Sequence, residues 1–423
     1  MSYPPLRARR VRVSQIPAGP RIVGLRAWHR ACGSHARGCA YSALDDARAA
    51  SSSGGQQAGG QQRQQGGGRV DRVDKAARGD AAAVLDGGLI YTQDDAPGIT
   101  RVRRGRGFSY HAPDGRLIRD AKTLTRIRML AIPPAYQQVW ICPKPNGHIQ
   151  ATGRDDRGRK QYRYHAAFRA SQDEAKFARL AKFGAALPEM RERISADLRA
   201  RSTSRRCVIA TIVHLLDCTA IRIGNAPYAQ QNRSYGLTTL RQRHVTLESS
   251  TIRFRFAGKG GKKWDVSLRD RRVARVLRGL QELPGQQLFG YLDGEDVRAV
   301  TSDDINAYLR EIGGEDFSAK DFRTWCGTVT ATTMLAELHQ QEEPPAAAAA
   351  IKQAVLAASQ ALQNTPTICR KSYIHPAVLE AYDTDLARFA GMAIDDAENE
   401  VLALLLAAET RGKRGTNRQS KRG

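Results

Sequence analysis

The residue of this sequence that most invites a chemical interpretation is Tyr373, in the segment ICRKSYIHP. A tyrosine in such a segment can be a buried anchor, a ring stacked on arginine or a nucleophile aimed at a phosphate. Phenol has a pKa of about 10, so it attacks phosphorus at neutral pH only where neighbouring cations favour the phenolate. Arg370 and Lys371 precede it directly, yet this stretch alone favours the two structural interpretations.

Further cations stand 151, 114 and 50 residues before the tyrosine: Arg222 in IRIGN, Lys259 in AGKGG and Arg323 in KDFRTW. Taken singly, each of these cations has a structural interpretation that involves no catalysis. Arg222 suits the dipole at the end of a helix, Lys259 suits a solvated basic hairpin, and Lys320 and Arg323 share one face of a helix start. Together with a tyrosine, they are the set needed for transesterification on a phosphodiester.

The chemistry of that reaction assigns a task to each residue type. Guanidinium groups bind the non-bridging oxygens of a phosphate and neutralise the charge that builds in the transition state. A lysine can protonate the leaving alkoxide as general acid. Since arginine and lysine handle the charge, the sequence predicts a reaction without a metal, and it offers no cluster of carboxylates for Mg²⁺.

Two other chemistries are disfavoured by spacing. GKGGKK (258–263) is not GxxxxGK[ST] and joins strand to strand, so a nucleotide-binding loop is not expected there. His29, Cys32, His35 and Cys39 do not have the usual spacing of a zinc site. The sequence therefore predicts no cofactor, neither a nucleotide nor a metal.

The elements that must position these residues fall into two parts. Residues 88–165 contain short runs of strand formers between turns, which predicts a small antiparallel β-rich unit. GRDDRGRKQYRYH (153–165) alternates basic residues with Tyr162 and Tyr164, which share a face if the segment is a strand. That pattern fits either an aromatic pair within a sheet or a surface that contacts phosphates and bases.

From about residue 166 the pattern becomes helical. The segment 207–225 has apolar residues at helical spacing, and Gly224-Asn225 is read as its stop. Residues 251–270 alternate instead: Ile252, Phe254 and Phe256 point one way and the arginines between them the other. This alternation predicts a β-hairpin with GKGGKK at its turn.

Charge and composition restrict the partners. The formal charge is +25, of which residues 1–87 carry +8 and residues 411–423 carry +6, which leaves +11 on residues 88–410. Nucleic acid or an anionic membrane surface is the expected partner of so basic a chain. No apolar run reaches the length of a membrane span, and seven scattered cysteines without a CxxC favour a reducing cytoplasm.

We expect the first part of the chain to contribute no residues to a hydrophobic core. Residues 51–68 are a Gly-, Gln- and Ser-rich run that reads as a flexible linker. The Arg-rich residues 1–40 contain no acidic residue, so an organellar transit peptide is a second interpretation. We interpret residues 1–86 as a disordered or mis-assigned extension.

At this point the chain resembles the type IB DNA topoisomerases, in particular the compact poxvirus-like enzymes of bacteria. The resemblance runs from about residue 87 to about residue 395. It depends on the order and spacing of these blocks: GRDDRGRKQYRYH, IRIGN…YGLTTLRQRHV, FRFAGKGGK, KDFRTW and NTPTICRKSYIHP. It implies that the protein relaxes supercoiled duplex DNA, without ATP or metal, by transient cleavage of one strand through a 3′-phosphotyrosyl intermediate.

The resemblance also assigns roles to positions. It implies Tyr373 as nucleophile, Lys259 as general acid, Arg222 and Arg323 as catalytic arginines, and Lys320 as the auxiliary lysine of K-x-x-R. The poxvirus enzymes have histidine nine residues before the tyrosine, whereas this chain has Asn364, as bacterial members do. An amide can donate a hydrogen bond to a phosphate oxygen but cannot titrate. The residues expected to contact DNA are Tyr162, Tyr164, Tyr228, Arg370 and Lys371.

The expected fold class is α+β, with a small β-rich amino-terminal domain and a larger, mainly helical catalytic domain that contains a β-hairpin. The family fold closes such domains around duplex DNA as a C-shaped clamp. We expect an extension over 1–86, a DNA-binding domain over 87–165, a catalytic domain over 166–400, and a helix end with a basic tail over 401–423. We further expect a monomer, cytoplasmic and associated with the bacterial nucleoid.

Two alternatives remain at this stage. A tyrosine recombinase uses a similar set of residues, but it usually has H-x-x-R where this chain has Lys320-x-x-Arg323, and it has no expected place for GRDDRGRKQYRYH. A catalytically silent DNA-binding protein would explain the charge and the aromatic residues. The occupation of every catalytic position argues against it.

Overall fold

The computed structural model describes residues 84–85, 88–156, 158–393 and 396–419. Nearly all of the predicted extension over 1–86 lies outside these residues, as do the four His and Cys residues considered for zinc. The chain divides into two compact units, of which one ends at Arg179 and the other begins at Leu180. Among the described residues, no helix is long and apolar enough to cross a membrane, and no cluster of His, Cys, Asp or Glu is suited to hold a metal ion.

The amino-terminal unit is β-rich, as predicted. Five antiparallel strands form a sheet in the order β4-β3-β5-β6-β7, and a two-residue strand pair, β1 with β2, precedes them. The helix α1 lies between β4 and β5, and its residue Ile127 joins the small core under the sheet. The elements are β1 Val84–Leu85, β2 Leu89–Ile90, β3 Ile99–Arg104, β4 Gly107–His111, α1 Ala121–Met129, β5 Gln137–Ile141, β6 Ile149–Arg154, β7 Lys160–Tyr164 and α2 Ala166–Ala178.

Helix α2 belongs to this amino-terminal unit, whereas the sequence placed the boundary before it, after residue 165. The physical reason is aromatic packing. Phe168 on α2 meets the His148 ring edge-on at 5.0 Å and lies 5.6 Å from the Tyr164 ring, so the helix is held on the strands that precede it. The helical pattern begins at the predicted place, but the change of compact unit comes one helix later.

The carboxyl-terminal unit is mainly helical and has one large core. Its helices are α3 Leu180–Asp197, α4 Arg205–Thr219, α5 Ala226–Asn232, α6 Arg271–Gln281, α7 Ser302–Gly313, α8 Ala319–His339, α9 Ala347–Ala361, α10 Pro366–Ser372, α11 Pro376–Thr384, α12 Leu386–Ala390 and α13 Ala397–Gln419. Its strands are β8 Val245–Glu248, β9 Thr251–Ala257, β10 Lys263–Arg269, β11 Gly290–Asp293 and β12 Asp296–Ala299. The last helix thus continues through most of what the sequence suggested was a tail. The mixed α and β character and the small antiparallel sheets are confirmed.

The predicted hairpin is present as β9 and β10, which β8 extends to a three-stranded antiparallel sheet. Ile252, Phe254 and Phe256 are buried, while the arginines between them face outward. The turn is a short 3-10 segment, Lys259–Gly261, in which Gly260 and Gly261 have φ of 76° and 77°. Such angles favour glycine and explain the Gly-Gly pair.

The helix that precedes Arg222 ends earlier than predicted. Helix α4 stops at Thr219, and Ala220 follows in a left-handed conformation with φ of 52°. The Thr219 hydroxyl donates to the Leu215 carbonyl at 2.6 Å and accepts from the Ile221 amide at 3.3 Å, so it competes with the next helical turn. Asn225, read as a stop signal, is in fact the N-cap of α5. Arg222 therefore lies in a connecting segment and not at a helix end.

Candidate active site

Tyr373 directly follows α10, where its amide donates to the Cys369 carbonyl at 2.9 Å. Thr365 caps the start of this short helix and Pro366 occupies its first turn, a common arrangement at a helix amino end. The neighbours Cys369 and Ile374 are both fully buried. These two anchors hold the half-buried tyrosine between them at a defined place on the core.

Helix α8 provides the surface on which the tyrosine segment rests. A Cβ atom on Gly327 would lie 2.6 Å from the Tyr373 carbonyl oxygen, so only glycine permits this close approach. Thr328, the next residue, accepts a hydrogen bond from the His375 amide at 3.1 Å. Neither residue was singled out from the sequence, because nothing local marks a glycine inside a helix as a contact point.

Arg323 lies one helical turn before Gly327 on the same helix and is 4 % exposed. Its guanidinium donates to the Ala220 carbonyl and, at 2.8 Å, to the Leu362 carbonyl. The same group lies 5.3 Å from the centre of the Tyr373 ring, and its Nε is buried without a hydrogen-bond partner among the described residues. The alternative interpretation of Arg323 as part of a solvated helix face is therefore wrong, because the residue is a buried cation beside the tyrosine.

Arg222 approaches the same place from the segment between α4 and α5. Leu237 and Thr238 hold this segment, because their amides donate to the Arg222 and Ile223 carbonyls at 2.8 and 2.7 Å. The half-buried guanidinium donates to the carboxamide oxygen of Asn364. Burial first, and the charge of Arg323 second, lower the pKa of Arg222 to about 10, which leaves it a cation at neutral pH.

Asn364 is oriented by this contact. A guanidinium can only donate, so the carboxamide must present its oxygen to Arg222. Its Nδ2 atom is then left buried, with no hydrogen-bond partner among the described residues. A buried donor without a partner is costly in a folded protein and is typical of a place where a ligand oxygen binds.

The ionisation of Tyr373 is controlled by these neighbours. Burial raises the pKa of its phenol, but the charges of Arg323 and Arg222, with the donor groups of Arg323 and Asn364 close by, outweigh that effect. The net result is that the pKa of Tyr373 lies below its ordinary value. The two guanidinium groups thus make this phenol easier to ionise than an ordinary tyrosine.

The two predicted lysines both have exposed side chains. Lys259 is exposed at the hairpin turn, and Lys320 is exposed in the first turn of α8. A neighbouring lysine reaches the site instead: Lys262 Nζ donates to the Asn364 main-chain carbonyl at 3.0 Å. The basic turn as a whole can be recognised from the sequence, but no sequence signal indicates which of its lysines contacts the tyrosine site.

The expected DNA contacts fall in both units. Tyr228 on α5 is half-buried and close enough to Arg222 to act on its pKa, while Arg370 and Lys371 are exposed on α10. In the amino-terminal unit, Tyr162 and Tyr164 share one face of the edge strand β7, and their rings stack with centres 5.9 Å apart. The two tyrosines share one face of the strand, as predicted. Their rings pair along this single strand and not across two neighbouring strands.

Comparisons with known proteins agree with this geometry. The sequence model of the family described as eukaryotic DNA topoisomerase I, catalytic core, matches residues 165–398, and that of the bacterial DNA topoisomerase IB N-terminal domain matches residues 107–155. DNA topoisomerase 1B of Acanthamoeba polyphaga mimivirus is 31% identical over 316 residues, which cover 73% of this chain and 94% of the relative.

The chain belongs to the type IB DNA topoisomerases.

More distant relatives of this topoisomerase are found in viruses and fungi. DNA topoisomerase 1B of vaccinia virus (strain Copenhagen) is 22% identical over 252 residues, covering 58% of this chain and 75% of the relative. DNA topoisomerase 1 of Mycosarcoma maydis is 24% identical over 204 residues, covering 43% of this chain and 20% of the relative.

Family membership decides between the topoisomerase and recombinase interpretations. The enzyme relaxes supercoiled DNA by transient cleavage of one strand through a phosphotyrosyl intermediate.

Proposed function

We propose that Tyr373 is the nucleophile of this topoisomerase and that Arg222 and Arg323 are its catalytic arginines. The observation that carries the proposal is the pair of guanidinium groups around a half-buried tyrosine whose pKa they lower. A structural tyrosine needs no such neighbours, and a buried and a half-buried cation near each other are unfavourable unless an anion joins them. A phosphodiester is that anion.

The reaction follows from these groups. Tyr373, ionised by loss of its phenolic proton to water, attacks phosphorus and forms a phosphotyrosyl ester with the 3′ end, while the bond from phosphorus to the 5′ oxygen breaks. The 5′ oxygen leaves with a proton that Lys259 supplies. Religation is the reverse: the 5′ hydroxyl returns its proton to Lys259 and attacks phosphorus, and Tyr373 leaves. Since the ester conserves the energy of the broken bond, we propose that neither ATP nor a metal ion is needed.

Lys259 must approach DNA for this role. Its exposed position on a turn with two glycines at positive φ suits a side chain that is placed by the bound substrate. Lys320, exposed one turn before Arg323, serves as an auxiliary phosphate contact. Asn364 donates from Nδ2 to a non-bridging oxygen, and because an amide does not titrate it has no part in proton transfer.

The remaining expectations are part of the same proposal. Tyr162 and Tyr164 in one unit, and Tyr228, Arg370 and Lys371 in the other, contact duplex DNA, with rings on sugars or bases and basic groups on phosphates. The two units close on the duplex as a C-shaped clamp, and the protein acts as a monomer at the bacterial nucleoid in the cytoplasm. We also keep the functional division proposed from the sequence, a β-rich DNA-binding domain over 87–165 and a catalytic domain over 166–400, although by packing helix α2 lies with the β-rich unit.

The deciding experiment uses plasmids of either supercoil sign, incubated with the protein in EDTA without ATP and resolved as topoisomers. We expect relaxation of positive and negative supercoils alike, because torsion drives rotation about a nick in either direction. A strict requirement for Mg²⁺ or ATP would refute the metal- and nucleotide-free mechanism.

The matched variant is Tyr373→Phe, which removes one oxygen atom and keeps the ring. We expect it to bind plasmid, to form no covalent adduct and to leave supercoils intact. Adduct formation or relaxation by this variant would show that another residue is the nucleophile.

A further inference from the structure

Lys262 makes a contact that the reaction scheme above does not use. It follows the turn Lys259–Gly261, and its side chain is half-buried with Nζ donating to the Asn364 main-chain oxygen at 3.0 Å. Its neighbour Lys263, by contrast, is exposed on β10. The two adjacent lysines of the basic turn therefore differ in environment, and only one of them reaches the tyrosine site.

The segment that receives Lys262 connects α9 to α10 and accepts from cations on three separate parts of the fold. Arg323 on α8 donates to the Leu362 carbonyl, and Arg222 donates to the Asn364 carboxamide oxygen. Lys262 on the hairpin donates to the Asn364 main-chain oxygen. The Asn364 amide donates to the Ser359 carbonyl at 3.0 Å, so both polar groups of its main chain are held.

This restraint matters because the segment is not regular structure. Gln363 adopts φ of 49°, a left-handed conformation that is unfavourable for a residue with a side chain. Asn364 next to it must present Nδ2 to the phosphate, and a displacement of about 1 Å at such a group can slow a reaction by about a hundredfold. The Lys262 contact fixes the end of the main chain from which this donor projects.

The hairpin side of the contact is also held. The Gly258 amide donates to the Lys262 carbonyl at 2.7 Å, and Trp264 stacks on Phe256 with ring centres 6.0 Å apart. A Cβ on Gly258 would lie 2.6 Å from Trp264 Nε1, so the turn is packed at its base. Lys262 thus belongs to the rigid base of the hairpin, and Lys259 to its exposed turn.

We propose that Lys262 is a positioning residue for strand cleavage: it ties the base of the Lys259 hairpin to the Asn364 segment and so sets the phosphate donor and the proton donor in one arrangement. The inference rests on the proposed roles of Asn364 and Lys259. It assigns to Lys262 no contact with the reacting atoms.

The first test compares Lys262→Met with Lys263→Met in single-turnover cleavage of a DNA duplex by saturating protein. Both variants lose one charge from the same turn. We expect Lys262→Met to form the covalent adduct about tenfold more slowly, while Lys263→Met stays within about twofold of the parent protein. Equal rates for the two variants would overturn the proposal.

A double-mutant cycle then asks through which group Lys262 acts. Asn364→Ala keeps the main-chain oxygen but removes Nδ2, so Lys262→Met should slow the Asn364→Ala protein by less than about twofold. A full additional tenfold loss in that background would show that the two residues act independently. Lys262→Arg keeps a hydrogen-bond donor, so this variant should recover most of the cleavage rate. The thermal midpoint of each variant is measured as well, so that a slow rate caused by unfolding is recognised.

A last measurement separates positioning from proton donation. A substrate with sulfur in place of the bridging 5′ oxygen releases a thiolate, which needs little help from an acid. We expect this substrate to rescue Lys259→Ala but not Lys262→Met. Rescue of Lys262→Met would make it the acid and refute its positioning role, whereas adduct formation by Tyr373→Phe would refute the proposed nucleophile and leave the Lys262 comparison intact.

Discussion

At the scale of single residues, the protein controls a phenol through charge. Burial of Tyr373 opposes ionisation, but the guanidinium groups of Arg323 and Arg222 reverse this effect and bring the pKa below its ordinary value. In the proposed mechanism the two arginines act twice, because they favour ionisation of Tyr373 and also hold the phosphate that it attacks. The preparation is built into the folded chain, since both contacts are made by the protein alone.

This coupling predicts a pH effect. Arg222→Ala removes a cation that favours the phenolate, so the pKa of Tyr373 should rise and the ascending limb of the rate of adduct formation against pH should move to higher pH. Arg222→Lys keeps the positive charge, so it should move this ascending limb by a smaller amount. The ionisation can be followed directly by NMR of ¹³Cζ-labelled tyrosine in the free protein.

Arg255→Ala is the control, because Arg255 is an exposed cation on the outer face of the hairpin. It should leave the Tyr373 titration where it is. An unchanged midpoint in Arg222→Ala as well would show that the arginine charge does not set the ionisation.

At the scale of elements, α8 determines the geometry of the site. It carries Arg323 and, one turn later, Gly327 and Thr328, on which the tyrosine segment rests. One rigid helix therefore fixes the distance between Arg323 and the surface on which the Tyr373 segment rests. The rest of the site comes to this helix from the loop before α5, from the segment after α9 and from the hairpin.

Gly327→Ala tests this dependence. In an ordinary helix the change would stabilise by up to about 1 kcal/mol. Here the new methyl group would meet the Tyr373 carbonyl oxygen at 2.6 Å, so we expect a lower thermal midpoint and cleavage slowed at least about tenfold. Thermal unfolding and single-turnover adduct formation measure the two effects.

Ala331→Gly is its counterpart, one turn further along α8. It should destabilise the protein by at least about 1 kcal/mol, because Ala331 is fully buried and the change also removes a packed methyl group, while it leaves adduct formation nearly unchanged. If Gly327→Ala proved more stable and fully active, the tyrosine segment would not rest on α8 in the way described.

A second element, α6, depends on one carboxylate. Asp270 caps its start and lies 3.0 Å from His214 and 3.1 Å from Arg272. Burial would raise the pKa of Asp270, but the hydrogen bonds and charges of His214 and Arg272 outweigh it and depress that pKa well below its ordinary value. A depressed pKa means that the carboxylate stabilises the fold above the unfolded-state value of about 3.9 and loses this effect as the pH falls through the folded-state value.

Asp270→Asn keeps the size and a capping oxygen but loses the charge. We expect a loss of about 2 kcal/mol in the free energy of unfolding at pH 7, measured with urea, and a smaller difference from the parent protein as the pH falls below about 4. Asp303→Asn removes an exposed carboxylate at the start of α7 and should cost less. A difference that stayed constant with pH would exclude the charge as its cause.

At the scale of the whole molecule, charge brings the enzyme to its substrate. Residues 88–410 carry +11 without the two ends of the chain, so the folded part is basic by itself. Duplex DNA releases counterions when such a surface neutralises its phosphates, and this makes binding strongly dependent on salt.

The prediction is a linear fall of log Kobs with log salt, with a slope of about −5 to −9 if six to ten phosphates are contacted. Tyr373→Phe should be used, so that binding is measured without cleavage. Arg370→Ala combined with Lys371→Ala should reduce the slope by about 2, close to one unit for each lost phosphate contact. An unchanged slope would remove Arg370 and Lys371 from the DNA interface.

Much of this protein is determined by local sequence, because local rules suffice for it. Alternation of Ile252, Phe254 and Phe256 with arginines specifies a hairpin with one buried face, and the strand-rich and helix-rich parts are apparent from period and turn residues. The order of the motifs around Arg222, Lys259, Arg323 and Tyr373 identifies the family and the chemistry. Each of these inferences uses residues near one another in the chain or a pattern of spacing.

The tertiary structure alone decided which groups meet. Arg323 looked like a surface residue and is buried, because Ala220 and Leu362, far from it in sequence, supply the carbonyls that accept its hydrogen bonds. The orientation of Asn364, the contact made by Lys262 and the need for glycine at 327 depend on elements packed from distant parts of the chain. Such contacts are a property of the core as a whole, so no window of sequence contains them.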